Sequence, residues 1–186
     1  TSIFLVYEHT LAVYDALQTN GRFPPLSLPP FARHLQAKAK FRESRRYGRA
    51  QNYWSKLLND GVPPLAFYGR TQPNPHASTR VKRHYLNLSP AESAALRQTA
   101  VASAAPGTAP DLAYFNMLAA LTFALLHITT GQNRLGLVTT IHNRPTPASR
   151  QIIGPVMELA PLLITVEPDD TLPSLIAHVQ EAMRQV

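Results

Sequence analysis

The sequence predicts an α/β domain in which helices pack on a mixed sheet as a two-layer sandwich. Three observations carry that expectation. The runs "RLGLVTTI" and "ELAPLLITVE" have the length and β-branched content of buried strands. The most apolar stretch, "DLAYFNMLAALTFALLHI", has the length of a core helix, and the closing run "DDTLPSLIAHVQEAMRQV" places Leu172, Leu175, Ile176 and Val179 on one helical face. The elements follow the order helix, helix, strand, helix, helix, strand, strand, helix, which suits helices layered against a sheet.

The chain opens on "TSIFLVYEHTLAVYDAL", where Ile3, Val6, Tyr7, Val13, Tyr14 and Leu17 fall at helical spacing and Phe4, Leu5 and Leu11 widen the stripe. This helix is expected to pack on more than one side, with Thr1 or Ser2 as its cap. Next, "FARHLQAKAKFRESRRYGRAQNYWSKLLND" reads as helical in two pieces joined near Gly48, anchored by Trp54, Leu57 and Leu58 and ended at Asn59, Asp60 and Gly61. "STRVKRHYLNLS" alternates without a purely apolar face and predicts an edge strand. Ser89, Pro90 and Glu92 then form a helix start signal, with Ser89 as cap and Glu92 three residues on. Asp111 is expected to cap the apolar helix and Gly131 to close it. The segment between the two strands, "HNRPTPASRQIIGPV", reads as a polar loop, and the last helix takes Asp or Thr as cap with Pro173 in its first turn.

Composition narrows the functional classes. Of 186 residues, 45% are hydrophobic and 16% charged, so burial can offset chain entropy and global disorder is excluded. The 17 prolines cluster in "FPPLSLPP", "GVPPLAFYGRTQPNP" and "NRPTP", which mark stiff connections. No cysteine is present, which removes disulfides, thiolate metal sites and a Cys nucleophile. No metal site is expected. The apolar helix is interrupted by Asn116, Thr122 and His127 and is short for a membrane span, so a core role is expected, and a cytoplasmic location is the default.

The net charge of +7 is concentrated between residues 33 and 49, where Arg33, Lys38, Lys40, Arg42, Arg45, Arg46 and Arg49 face the single acid Glu43. Such a run should be exposed and can attract an acidic partner. No zinc-finger spacing, RNA-recognition signature or stacking pattern accompanies it, so nucleic acid is not the expected ligand.

The ordered motifs add a family. Thr130, Gly131 and Gln132 end the apolar helix, Arg144 ends the following strand, and Ile153 and Gly154 precede the next, while Tyr53 and Trp54 lie upstream. This set, extending over nearly the whole chain, resembles the condensation domains of nonribosomal peptide synthetases. The resemblance implies one lobe of a chloramphenicol-acetyltransferase-like pair of lobes with a substrate tunnel between them. The family's His-His-x-x-x-Asp-Gly motif is commonly followed by x-Ser and a helix, and Ser2 fits that Ser, so residues 1–186 are expected to be most of the C-terminal lobe, starting just after the motif. The catalytic histidine is then expected upstream of Thr1.

The resemblance further implies that Ser2, Thr139, His142, Asn143 and Glu158 border the tunnel and that Arg144 and Gly154 are structural. Arg144 can fix the next loop through a carboxylate or backbone carbonyls. His142 can face the tunnel or orient its loop. His9, His34, His76, His84, His127 and His178 have no partner at a diagnostic spacing. Glu158 and Leu163 stand where the family often has Asn and Arg, and Val138 where it often has Gly. A carboxylate at 158 can meet an acceptor ammonium, mark a divergent subgroup, or face solvent. The implied activity is amide formation between a donor thioester and an acceptor amine, both carried on the phosphopantetheine arms of peptidyl carrier proteins, with no cofactor bound by this chain. The alternative is a non-catalytic relative that recruits carrier proteins or tailoring enzymes.

Overall fold

The computed structural model describes residues 2–25, 28–59, 61–67, 69 and 82–185. Its elements run α1 (Ser2–Asn20), α2 (Phe31–Arg42), α3 (Arg45–Asn59), α4 (Pro90–Ala102), α5 (Pro110–Thr130), β1 (Arg134–Ile141), α6 (Pro147–Arg150), β2 (Glu158–Thr165) and α7 (Leu172–Gln185). They fall into two units, one formed by Thr1–Asp60 with Thr140–Leu159 and the other by Gly61–Thr139 with Ala160–Val186.

The second unit holds the hydrophobic core, and α5 is its centre. Ala113, Met117, Ala120 and Phe123 recur at three- and four-residue spacing and are fully buried, and α4 and α7 pack against that helix. β1 and β2 pair antiparallel, with the Val166 N–H donating to the Asn133 carbonyl at 2.9 Å where one strand ends and the other begins. Ala160, Leu162 and Ile164 alternate into the core beside Leu135, and α7 adds Leu175, Ile176 and Val179. On the opposite face, Gly136 leaves room that a Cβ would fill, at 2.8 Å from Leu163 Cδ2 and 3.1 Å from Val62 Cγ1. The α/β class holds, with a sheet of two strands among the described residues.

Length and composition alone would let α5, at 21 residues, cross a membrane. Its burial is one-sided. Leu112, Leu118, Leu121, Leu125 and Ile128 stay exposed while the opposite stripe forms the core.

Helix ends follow local chemistry. Ser89 caps α4 by accepting from the Glu92 N–H, and Glu92 accepts in return from the Ser89 N–H at 2.8 Å. Gly131, at φ 68°, ends α5 in the left-handed conformation that a residue with a Cβ adopts at a cost. Asp111 is not the cap of α5. Ala109 holds that place with Pro110 next, and Asp111 sits in the first turn, where its carboxylate meets Arg97 at 3.3 Å and favours the positive end of the helix.

In the first unit the joint between α2 and α3 falls at Glu43 and Ser44 rather than at Gly48, which lies inside α3. Ser44 decides this, because its hydroxyl accepts from the Tyr47 N–H at 3.2 Å and so satisfies a free donor of the new helix. Neither α2 nor α3 contains a fully buried residue. The expected packing of α1 on more than one side is not found within this unit. Ile3, Phe4, Tyr7, Leu11 and Tyr14 are each more than half exposed, because no described element of the unit lies over them.

Two further expectations change. Residues 82–88 are exposed chain outside the sheet, and residues 78–81 of the same expected strand lie outside the described residues. With neither face apolar, burial gave that run nothing to gain by pairing. The loop after β1 also contains a turn of helix, α6, started by Thr146 and Ser149 as a reciprocal cap.

Asn116 is fully buried on α5, and neither of its side-chain polar atoms has a hydrogen-bond partner among the described residues. A buried orphan group of this kind costs about 1–3 kcal/mol. Asn116→Leu should therefore raise stability by about 1–2 kcal/mol in denaturant titration, and a loss of stability would show that the amide is satisfied in solution. Glu92 is held below the usual carboxylate range by the Ser89 N–H and then by the Ser89 hydroxyl. Because its folded pKa is depressed, its contribution is present above the ordinary value of about 4.3 and is lost as pH falls through the lowered one. Glu92→Gln should flatten the acid limb of the stability profile and leave the alkaline side parallel to wild type.

Candidate functional site

The site is built around Arg144. After β1 the chain turns through Asn143, whose φ of 47° lies in the left-handed region that Asn tolerates better than most residues. That turn sets the guanidinium among the carbonyls released after α6. Nη1 donates to the Ser149 carbonyl at 2.8 Å and to the Ile152 carbonyl at 2.7 Å, and Nη2 donates to the Gly154 carbonyl at 3.2 Å and to Ser2 Oγ at 2.8 Å. Ser2 closes the network. Its hydroxyl donates to the Gly154 carbonyl at 2.9 Å and accepts from the Gly154 N–H at 3.1 Å, so the first turn of α1 is tied to a residue 152 positions away.

Gly154 cannot carry a side chain here. Its φ is 152°, and a Cβ would lie 2.3 Å from Cδ2 of Phe31, the first residue of α2. Phe31 in turn faces His34, with ring centroids 5.5 Å apart. Nearby in the same unit, Lys38 Nζ forms an ion pair with Glu158 Oε1, both side chains being roughly half exposed at 42% and 45%. The cation of α2 thus meets the first residue of β2, not its sequence neighbour Glu43.

Thr139 lies in the other unit. There Leu137, Val138 and Thr139 of β1, Leu162 of β2 and one face of α5 (Phe115, Leu118, Ala119, Thr122) line an open, apolar cleft of about 210 Å³. The Thr122 hydroxyl is spent on the Leu118 carbonyl at 2.8 Å, so it presents its methyl as readily as its oxygen.

The turn after α5 works as a clamp. Gln132 Oε1 accepts from the Ala66 N–H at 3.0 Å and its Nε2 donates to the Pro64 carbonyl at 3.1 Å. His127 Nδ1 lies 3.0 Å from the Gln132 carbonyl, which fixes the turn itself.

Among the expected site residues, the structure joins Ser2, Arg144 and Gly154 directly and sets Asn143 as their turn. Glu158 is paired with Lys38, Thr139 lines the cleft, and His142 is exposed. Of the remaining histidines, His178 lies 3.7 Å from Asp170, and His76 is outside the described residues. Sequence reasoning missed Lys38 as a partner of Glu158, since a separation of 120 positions gives no local signal. It missed Phe31 as the reason for Gly154 as well. The face of α5 that lines the cleft was legible in principle, because Phe115, Leu118, Ala119 and Thr122 share a helical stripe.

These features belong to the chloramphenicol-acetyltransferase-like fold. The chain is similar to the first condensation domain of the CDA synthetase, at a TM-score of 0.76 and 26% identity, covering 99% of this chain and 39% of that one. The condensation domain family matches residues 1–186, and the chain belongs to that family. Curated relatives include the isonitrile lipopeptide synthase of Streptomyces coeruleorubidus, 26% identical over 180 residues, and the phosphinothricin tripeptide synthetase of Streptomyces viridochromogenes, 25% identical over 185 residues. The matches cover 97% and 98% of this chain but 12% and 16% of those synthetases.

Arg144→Lys should destabilise the domain by about 2–3 kcal/mol, because one ammonium cannot reach several divergent carbonyls and those left over lose a charged donor. Gly154→Ala should be equally harmful through Phe31, and Phe31→Leu in the same chain should restore part of the loss. Denaturant midpoints for the three proteins test both points, and an unchanged midpoint for Arg144→Lys would show the network to be dispensable.

Proposed function

We propose that this chain is the C-terminal-lobe part of a condensation domain that joins a carrier-bound donor thioester to a carrier-bound acceptor amine. The family match along residues 1–186 carries the reading. In the reaction the amine nitrogen attacks the thioester carbonyl carbon, loses a proton, and the pantetheine thiol leaves. Holding two tethered reactants in line supplies much of the rate, and a positioned histidine supplies the proton handling. On this reading that histidine belongs to the sequence preceding Thr1, in the lobe that completes the tunnel, and the complete protein works in the cytoplasm on substrates delivered by phosphopantetheine arms.

The residues described above would support that chemistry by position. Arg144 and Gly154 anchor the segment after β1 to Ser2, the second residue after the expected histidine motif, so the network would set where that motif enters α1. Ser2, Thr139, His142, Asn143 and Glu158 would border the tunnel. Glu158 would present its carboxylate to the acceptor side while Lys38 balances its charge.

The test compares the domain including its upstream histidine segment with residues 1–186 alone, each incubated with donor- and acceptor-loaded carrier proteins. Amide product is expected from the longer protein and at least ~10²-fold less from the shorter, the usual scale of a lost acid–base group. Comparable rates would overturn the division of the active site. No product from an intact longer protein would favour the recruiting role instead. In the active protein, Glu158→Gln should lower acceptor turnover, and equal kinetics would reduce Glu158 to a solvent-facing partner of Lys38.

A further inference from the structure

The joint between α2 and α3 is an unusual place for charge. Lys40 and Arg42 end α2, and Arg45, Arg46 and Arg49 begin α3, with Glu43 the only acid between them. All five cations are exposed, and among the described residues none of them is engaged in an ion pair. Lys38, the run's neighbour toward the start of α2, is set apart by its pairing with Glu158. Lys40 and Arg42 suit the negative end of their helix. Arg45 and Arg46 do not suit theirs, because the first turn of α3 is the positive end of a helix dipole and has no acidic residue to offset them. A local preference is broken twice at one spot, where neither packing nor pairing repays it.

The same joint exposes two aromatic rings. Phe41 and Tyr47 are 41% and 37% exposed and meet edge to face, with centroids 5.8 Å apart. Arginines around exposed aromatic rings are the composition of a protein interface, rings supplying the anchor and guanidinium groups reading carboxylates. A single turn between two helix ends offers no extended groove to follow a nucleic-acid backbone.

We propose that this joint, centred on Phe41 and Tyr47 and ringed by Arg42, Arg45, Arg46 and Arg49, is the docking surface for an acidic carrier domain. The identity of the partner rests on the function proposed above, while the acidic character of its surface follows from the charge of the joint. Docking here would be fast and salt-sensitive, since complementary charge acts chiefly on the encounter rate.

The test uses the complete domain, its Arg45→Glu/Arg46→Glu variant and its Tyr47→Ala variant, with purified carrier domain as the probe and binding followed across a salt series. The variant with glutamates at 45 and 46 should bind the carrier roughly tenfold or more weakly at low salt and converge toward wild type at high salt. Its melting temperature should be unchanged or higher, because glutamate suits the first turn of α3. That opposition of signs separates docking from a structural role, which would weaken binding and stability together. Tyr47→Ala should weaken binding at every salt concentration. If the parent binds the carrier and both variants bind equally well, the joint is not the docking surface, although the proposed function stands. Failure of the parent to bind the carrier at any salt overturns this assignment and the carrier-dependent reading together. A preference of the joint for duplex or single-stranded nucleic acid over the carrier likewise overturns it.

Discussion

One guanidinium organises the segment that carries most of the candidate site. Arg144 has a planar fork of donors that must be met once it is partly withdrawn from water, and the carbonyls of Ser149, Ile152 and Gly154 together with the Ser2 hydroxyl meet them. The surrounding features follow as conditions for that arrangement. Asn143 must turn left-handed to aim the side chain, Thr146 and Ser149 must close α6 so that its last carbonyls face inward, and residue 154 must lack a Cβ so that Phe31 can lie against it. Replacing any one of these alters the geometry of the rest.

The second unit rests on different physics. Its core is formed by a helix buried along one stripe, two short strands and the amphipathic α7. Apolar burial is not directional, so this unit accommodates an Asn116 in α5 whose amide has no partner among the described residues. The network around Arg144 has no comparable tolerance, because each of its hydrogen bonds needs a donor and an acceptor at fixed positions. One unit thus rests on hydrophobic pattern and the other on a specific hydrogen-bond geometry.

Charge divides in the same way. Lys38 and Glu158 use theirs to join α2 to the start of β2, whereas the arginines at the head of α3 spend theirs outward. The contrast matters because both groups belong to one continuous basic run. Only the placement of Glu158 opposite Lys38 separates the paired lysine from the exposed arginines at the head of α3.

The sequence by itself determined the elements whose causes are local. The Ser89, Pro90 and Glu92 start of α4, the Gly131 stop of α5, the limits of β1 and the apolar face of α7 depend on neighbours a few residues away, so pattern alone exposes them. The ordered motifs likewise indicated the family, because their sequence and spacing persist without knowledge of the contacts they make. Tertiary structure alone decided what depends on distant partners. It showed that residues 82–88 stay outside the sheet for want of an apolar face, that Arg144 binds carbonyls and Ser2, and that Lys38 selects Glu158 over Glu43. Glycine at 154 could be read as a motif, but its necessity lies in a phenylalanine more than a hundred residues earlier, whose ring occupies the space a Cβ would need.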